Sequence, residues 1–172
     1  ALPPSLCEAV DAFFLACAVR EVRGQGSKHS SMLVHVTRFN AVQNYVYQNV
    51  EWYVNNVRRQ LSRKIQHDSV LFRLKNLYES DFVPVSMEIA RRDDHLGEIN
   101  EWQSVEKVLF DVIDQISVRM INGTAKDVLD YADSASGPKV IAIGGDKLAR
   151  GLTLEGLCTS YFLRASKMYD TL

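Results

Sequence analysis

The apolar positions of the chain change period several times, and each change predicts an element. Behind Pro3-Pro4, the residues Leu6, Val10, Phe13, Phe14 and Ala18 recur at three- and four-residue steps, which predicts a helix capped by Ser5 and ending near Arg23. The polar, glycine-containing "GQGSKHSS" breaks it, and "MLVHV" then reads as a short buried strand with Thr37 directly behind it. From Phe39 to Leu61 the residues Val42, Val46, Val50, Tyr53, Val54 and Val57 keep a helical period that no glycine or proline interrupts, so one long helix is predicted. A further helix is expected over Ser69 to Glu79, broken by Pro84 in "DFVPV", and "RRDDHLGE" reads as a solvated connection. "EWQSVEKVLFDVIDQI" gathers Val105, Val108, Leu109, Val112, Ile113 and Ile116 on one helical face ahead of the strand-like "SVRMI". Asn122-Gly123 closes that strand, a short helix "AKDVLDYA" follows, and "SASGP" leads into the strand "KVIAI"; "TSYFL" supplies one more.

Strands separated by helices, several of them almost wholly apolar, predict an α/β domain with a mostly parallel sheet covered on both faces. With 172 residues, 47% of them hydrophobic, the chain suits a single domain over 1–172. The stretch 39–101 holds more helix than one crossover needs and reads as a helical layer or insertion within it. Twenty Lys and Arg against 21 Asp and Glu leave a net charge of -1, so no global basic field advertises a polyanion and any such site must be a local patch. Cys7, Cys17 and Cys158 form neither a paired framework nor a zinc motif, which suits a reducing cytoplasm. "AVDAFFLACAV" contains Asp11 and falls short of the roughly 20 apolar residues that span a bilayer, so no membrane partner is expected. A start at "ALPPSL" without methionine and a stop at "MYDTL" within an alternating pattern suggest a piece of a larger protein.

In an open α/β sheet, ligands sit beyond the carboxyl ends of the strands. Two loops meet that condition: "HVTRF" and "IGGDKLARGLTLEG". Gly144 and Gly145 lack a β-carbon, so a phosphate or a neighbouring backbone can approach closely there. Asp146 is placed to cap a one-turn helix running to Arg150, and Gly151 suits the left-handed residue that ends such a turn. An ordinary strand–turn–helix corner explains the same glycines, and spacing alone leaves the two readings level. A Rossmann fingerprint is absent, and no Gly-Lys pair exists anywhere for a Walker A loop.

"KVIAIGGDKLARGLTLEGLCTSYFLRASKMYDTL", with the earlier "ALPPSLCEAVDAFFLACAVR" and "SMLVHVTRFNAVQNYV", resembles the Z-one domain family over most of the chain. That family carries an endonuclease assignment and is associated with superfamily-two helicase-like ATPases. The resemblance implies a RecA-like three-layer lobe with a helical elaboration, in which the strand, Asp146 and Arg150-Gly151 are similar to helicase motif V. It implies that Gly144, Gly145, Asp146, Arg150, Gly151, Thr153 and Glu155 belong to an interlobe loop touching nucleotide and nucleic acid. Thr153 stands where many relatives have an aspartate near the ribose, and Glu155 is a candidate partner for an arginine of a neighbouring lobe. "LVHVTRF" resembles motif IV, making Thr37 and Arg38 candidate nucleic-acid contacts. ATP and magnesium are implied for the full-length parent, with DNA and a first RecA-like lobe as partners, in bacterial DNA processing or restriction-type defence; this chain requires no cofactor of its own.

The chain lacks the phosphate-binding lysine loop, an Asp-Glu pair and a following arginine motif, so phosphoryl transfer lacks its main electrostatic parts, and the chain alone is not expected to hydrolyse ATP. A self-contained metal-dependent nuclease is a rival, although none of the eight lysines has an acid two residues before it and His29, His35, His67 and His95 are scattered. A non-catalytic α/β interaction module is the other. His35, inside a strand, reads as a satisfied core histidine. Trp52 and Trp102 suit base stacking, but their helical setting favours core or interface roles. Arg58, Arg59, Arg63 and Lys64 near a helix end suit its dipole and solvent more than a phosphate patch.

Overall fold

A computed structural model describes residues 1–93, 95, 98–121, 137–146 and 154–163. Among these residues four strands, β1 (Ser30–His35), β2 (Ile116–Met120), β3 (Lys139–Gly144) and β4 (Leu157–Phe162), form one sheet in the order β2-β3-β1-β4. Every neighbouring pair is parallel, with Ser30 opposite Lys139, Ile116 opposite Lys139 and Ser31 opposite Leu157. The predicted parallel α/β architecture is therefore present, and β1 and β3 lie in the middle of the sheet, as their burial requires. The short helix expected over "AKDVLDYA" lies outside the described residues.

Among the described residues, five α-helices accompany the sheet: α1 (Pro4–Val22), α2 (Asn40–Ser62), α3 (His67–Leu77), α4 (Val83–Arg92) and α5 (Trp102–Asp114). Met32, Val34, Val36, Ile141 and Ile143 point from one sheet face into a core shared with α1, α2, α3 and α5. Alternation sends Val140, Ala142 and Leu33 to the opposite face, where they meet Ile121 and Leu154 in a smaller cluster. Helix α1 packs against α5, α3 and β4, and α2 against β2, β3, α3 and α5. Burial of α1 on several sides explains its apolar composition, from Leu6 through Val19.

Two local expectations are corrected. Ser5 does not cap α1, because the helix begins one residue earlier at Pro4, whose fixed φ and missing N–H suit a first turn. The Ser5 hydroxyl instead shares a 2.6 Å hydrogen bond with Tyr161. Nor does Pro84 end the helical path. A π-helical turn, Tyr78–Phe82, joins α3 to α4 and leaves Pro84 in the first turn of α4, where the lack of an amide proton costs little.

Arg58 has a structural task beyond solvation. Its guanidinium donates to the carbonyls of Ile113 (3.1 Å), Asp114 (3.4 Å) and Ile116, satisfying acceptors where α5 turns into β2. Arg58→Ala is expected to lower the unfolding free energy by about 2 kcal/mol, the scale for charged hydrogen bonds, measured by urea denaturation.

Candidate functional site

Beyond the carboxyl ends of β1 and β3 lies an open cleft of about 230 Å³ lined by Thr37, Arg38, Phe39 and Asp146. The sheet register builds it. His35 is opposite Gly144, and the Val36 amide donates to the Gly144 carbonyl at 2.9 Å, so the chain leaving β1 runs beside the chain leaving β3. Gly145 then abuts the β1 loop. A β-carbon there would sit 2.6 Å from Gln43 Nε2, 3.1 Å from the Thr37 carbonyl oxygen and 3.4 Å from Arg38 Cα. The close approach inferred from the glycine pair is thus an approach of the protein's own backbone.

Gln43, in the first turns of α2, is buried and donates from Nε2 to the Thr37 carbonyl at 2.9 Å. This ties the loop before α2 to the helix itself and fixes where Thr37 and Arg38 stand. The sequence carried a signal for it, since Gln43 is a polar residue on the helix face otherwise made by Val46, Val50, Val54, Val57 and Leu61. Arg38 is exposed, with its guanidinium carbon 5.5 Å from the Phe39 ring centroid.

His35 is buried but is not a satisfied core histidine. Its Nε2 lies 3.8 Å from Asp146 Oδ1, its ring packs 5.2 Å from that of Phe162, and its Nδ1 has no hydrogen-bond partner among the described residues. The buried Thr37 hydroxyl oxygen is also unpartnered among them. Two unmet polar atoms at one strand end are unusual, because buried groups normally find partners.

Gly144, Gly145, Asp146, Thr37 and Arg38 are therefore brought to the same end of the sheet. Glu155 is not. It precedes β4 at the opposite, amino edge, where its carbonyl accepts from Ser31 Oγ at 2.8 Å and its carboxylate lies 3.5 Å from His29 Nε2. The length of β1 separates it from the cleft, about 20 Å at roughly 3.3 Å per residue. Arg150, Gly151 and Thr153 lie outside the described residues. Among the described residues, no three His, Cys, Asp or Glu side chains gather where they could share a metal ion, and no helix is long and apolar enough to cross a membrane. Cys17 sits inside α1, where burial pushes its thiol up to about 12, so it offers no thiolate near neutral pH.

Fold and cleft together define a parallel α/β domain with an open cleft at the carboxyl ends of its central strands. The chain belongs to the Z1 domain family, whose model matches residues 5–172. That family is known to occur with superfamily-two helicase-like ATPases and in endonuclease contexts. No curated protein and no solved structure matches the chain significantly.

Proposed function

We propose that this domain is the motif V-bearing, second RecA-like lobe of a nucleic-acid-dependent helicase-like ATPase, acting in bacterial DNA processing or restriction-type defence. The observation that carries the proposal is the packing of Gly145 against the Thr37-Arg38 backbone across Gln43. It joins a motif IV-like loop and the start of a motif V-like loop in one cleft. In this reading Thr37 and Arg38 hold a nucleic-acid phosphate. Asp146, Arg150, Gly151 and Thr153 face a nucleotide carried with magnesium by a first lobe. Nucleotide binding draws the two lobes together, and hydrolysis releases them while the nucleic-acid contacts shift.

This assignment gives the chain a coupling role, in which the described cleft residues Thr37, Arg38, Phe39 and Asp146 act on a nucleotide whose phosphates are held by the first lobe. The test uses a longer protein that joins this domain to a Walker A lobe. Arg38→Ala and Arg150→Ala are each expected to lower DNA-stimulated ATP hydrolysis by about tenfold or more, in line with the loss of one preorganised charge contact, while unstimulated hydrolysis changes less. Stimulation that is unchanged in both variants overturns the assignment.

A further inference from the structure

The outer face of α2 carries two largely exposed rings on one line, which the fold engages only at its margins: the Tyr45 hydroxyl accepts from the Ala1 amino group at 2.9 Å, and Arg59 donates to Asn56 at 3.3 Å. Tyr45, Trp52 and Arg59 follow one another at seven-residue steps, which keeps them within about 40° of a common line at 3.6 residues per turn. That line is opposite the buried face of Val46, Val50, Val54, Val57 and Leu61. Tyr45 is 51% exposed and Trp52 60%, and Arg59 is exposed as well. By contrast, Trp102 packs against Tyr78 with ring centroids 5.6 Å apart. Seven residues advance about 10 Å along a helix, so the three side chains mark a line of about 20 Å leading away from Arg38 and the cleft.

The surroundings of the two exposed rings identify the partner. Between residues 38 and 64 stand five cations, Arg38, Arg58, Arg59, Arg63 and Lys64, and a single acid, Glu51, in a chain whose net charge is -1. Apart from Arg58, which is committed to α5, these cations are exposed. The neighbouring positions on the outer face include four amides, Gln48, Asn49, Asn55 and Asn56, beside the exposed Ala41 and Val42. Flat rings, amides and clustered cations complement a polyanion with exposed bases.

We propose that the outer face of α2 is a track for single-stranded nucleic acid that continues from Arg38, with Tyr45 and Trp52 stacking on bases and Arg59 and Arg63 contacting phosphates. The proposal takes its starting point from the reading of the cleft as a nucleic-acid site. A single strand is specified because bases must be unstacked from their neighbours to lie on a side-chain ring.

The test titrates the 172-residue chain with a fluorescent oligo(dT) strand over a range of salt concentrations, reading anisotropy and tryptophan emission. Binding is expected to quench tryptophan emission, and Trp52→Phe removes most of that quench. Trp52→Ala weakens binding by about tenfold, within the range for loss of one base-stacking contact. Arg59→Ala with Arg63→Ala lowers the slope of log affinity against log salt by about 1.4, at about 0.7 per phosphate contact on a single strand. These positions are solvent-facing, and circular dichroism establishes that each variant is folded.

Binding weakened by Arg38→Ala but indifferent to the Trp52 and Arg59/Arg63 changes overturns the track and leaves the cleft reading standing. Sensitivity to those changes without sensitivity to Arg38→Ala upholds the track and overturns Arg38 as a nucleic-acid contact. A chain that binds no strand overturns both. Trp52→Ala altering only the sedimentation of the protein makes this face a protein-docking surface and likewise overturns the track.

Discussion

Replacing Arg73 by Ala is expected to lower the unfolding free energy by about 2 to 3 kcal/mol at neutral pH, less than breaking a fully buried ion pair costs, because Asp11 is buried but the Arg73 side chain is 43% exposed. Asp11 is a carboxylate inside α1 with only 3% of its surface exposed. Arg73 of α3 donates to it from Nε at 2.8 Å and from Nη2 at 3.3 Å, and the Tyr53 hydroxyl of α2 donates at 2.9 Å. Three helices thus converge on one charge, and the Arg73 guanidinium also lies 5.9 Å from the Tyr53 ring centroid. Burial pushes the Asp11 pKa up, and Arg73 and Tyr53 partly oppose that rise. Burial also raises the Tyr53 hydroxyl, so it remains a donor at neutral pH.

The direction of the pH dependence follows. A carboxyl whose folded-state pKa is raised binds more protons folded than unfolded, so stability falls as pH climbs from the unfolded value near about 4 towards the raised value. Without Arg73 the rise is larger and the window wider. The deficit of Arg73→Ala should therefore shrink as the pH is lowered from about 7 towards 4. Adding Asp11→Asn removes the charge, so the double variant should be more stable than Arg73→Ala at neutral pH and lose the added pH dependence. Urea unfolding at several pH values measures both, and a pH-independent deficit in Arg73→Ala rules out the uncompensated charge as its cause.

Gly156→Ala is expected to destabilise the fold by about 3 kcal/mol or more, combining a left-handed backbone with overpacking. Gly156 has φ +63°, and a β-carbon there would stand 1.8 Å from the His29 carbonyl oxygen and 2.6 Å from its carbon. The obstacle is backbone, so no rotamer change relieves it. Gly156 also accepts from the Ser31 amide at 2.9 Å, the bond that starts the pairing of β4 with β1. Thermal unfolding of Gly156→Ala against Gly24→Ala provides the comparison. Gly24 has φ +75° with nothing within 4 Å of the added carbon, so the difference between the two isolates the collision from the strain.

The four strands were legible as short β-prone runs, and the long helix α2 because its valines, Val42 to Val57, keep one period for about four turns. Less legible were features in which a residue is judged by what it touches. Pro84 looks like a helix end in sequence, yet a π-helical turn places it where a missing amide proton is harmless. His35 looks like core in an apolar strand, but Gly144 beside it and the strand's end leave its Nδ1 without a partner among the described residues.

The cleft divides in the same way. Local chemistry identified Gly145 as a point of close approach and Thr37-Arg38 as a loop after a central strand, because a missing β-carbon and a strand end are properties of the residues themselves. Which backbone approaches Gly145, and that Gln43 joins the two loops, depends on how β1 and β3 pair. Glu155 makes the difference plainest. It lies nine residues after Asp146 in the chain, yet it stands at the other edge of the sheet. Strands that run parallel start at the same end of the sheet, so Glu155, just ahead of β4, lies at the end opposite Asp146, which follows β3. Periodicity and residue chemistry were enough for the elements and their buried faces, since these follow from local geometry. Proximity across the sheet came from pairing and packing, which join residues far apart in the chain and separate near ones.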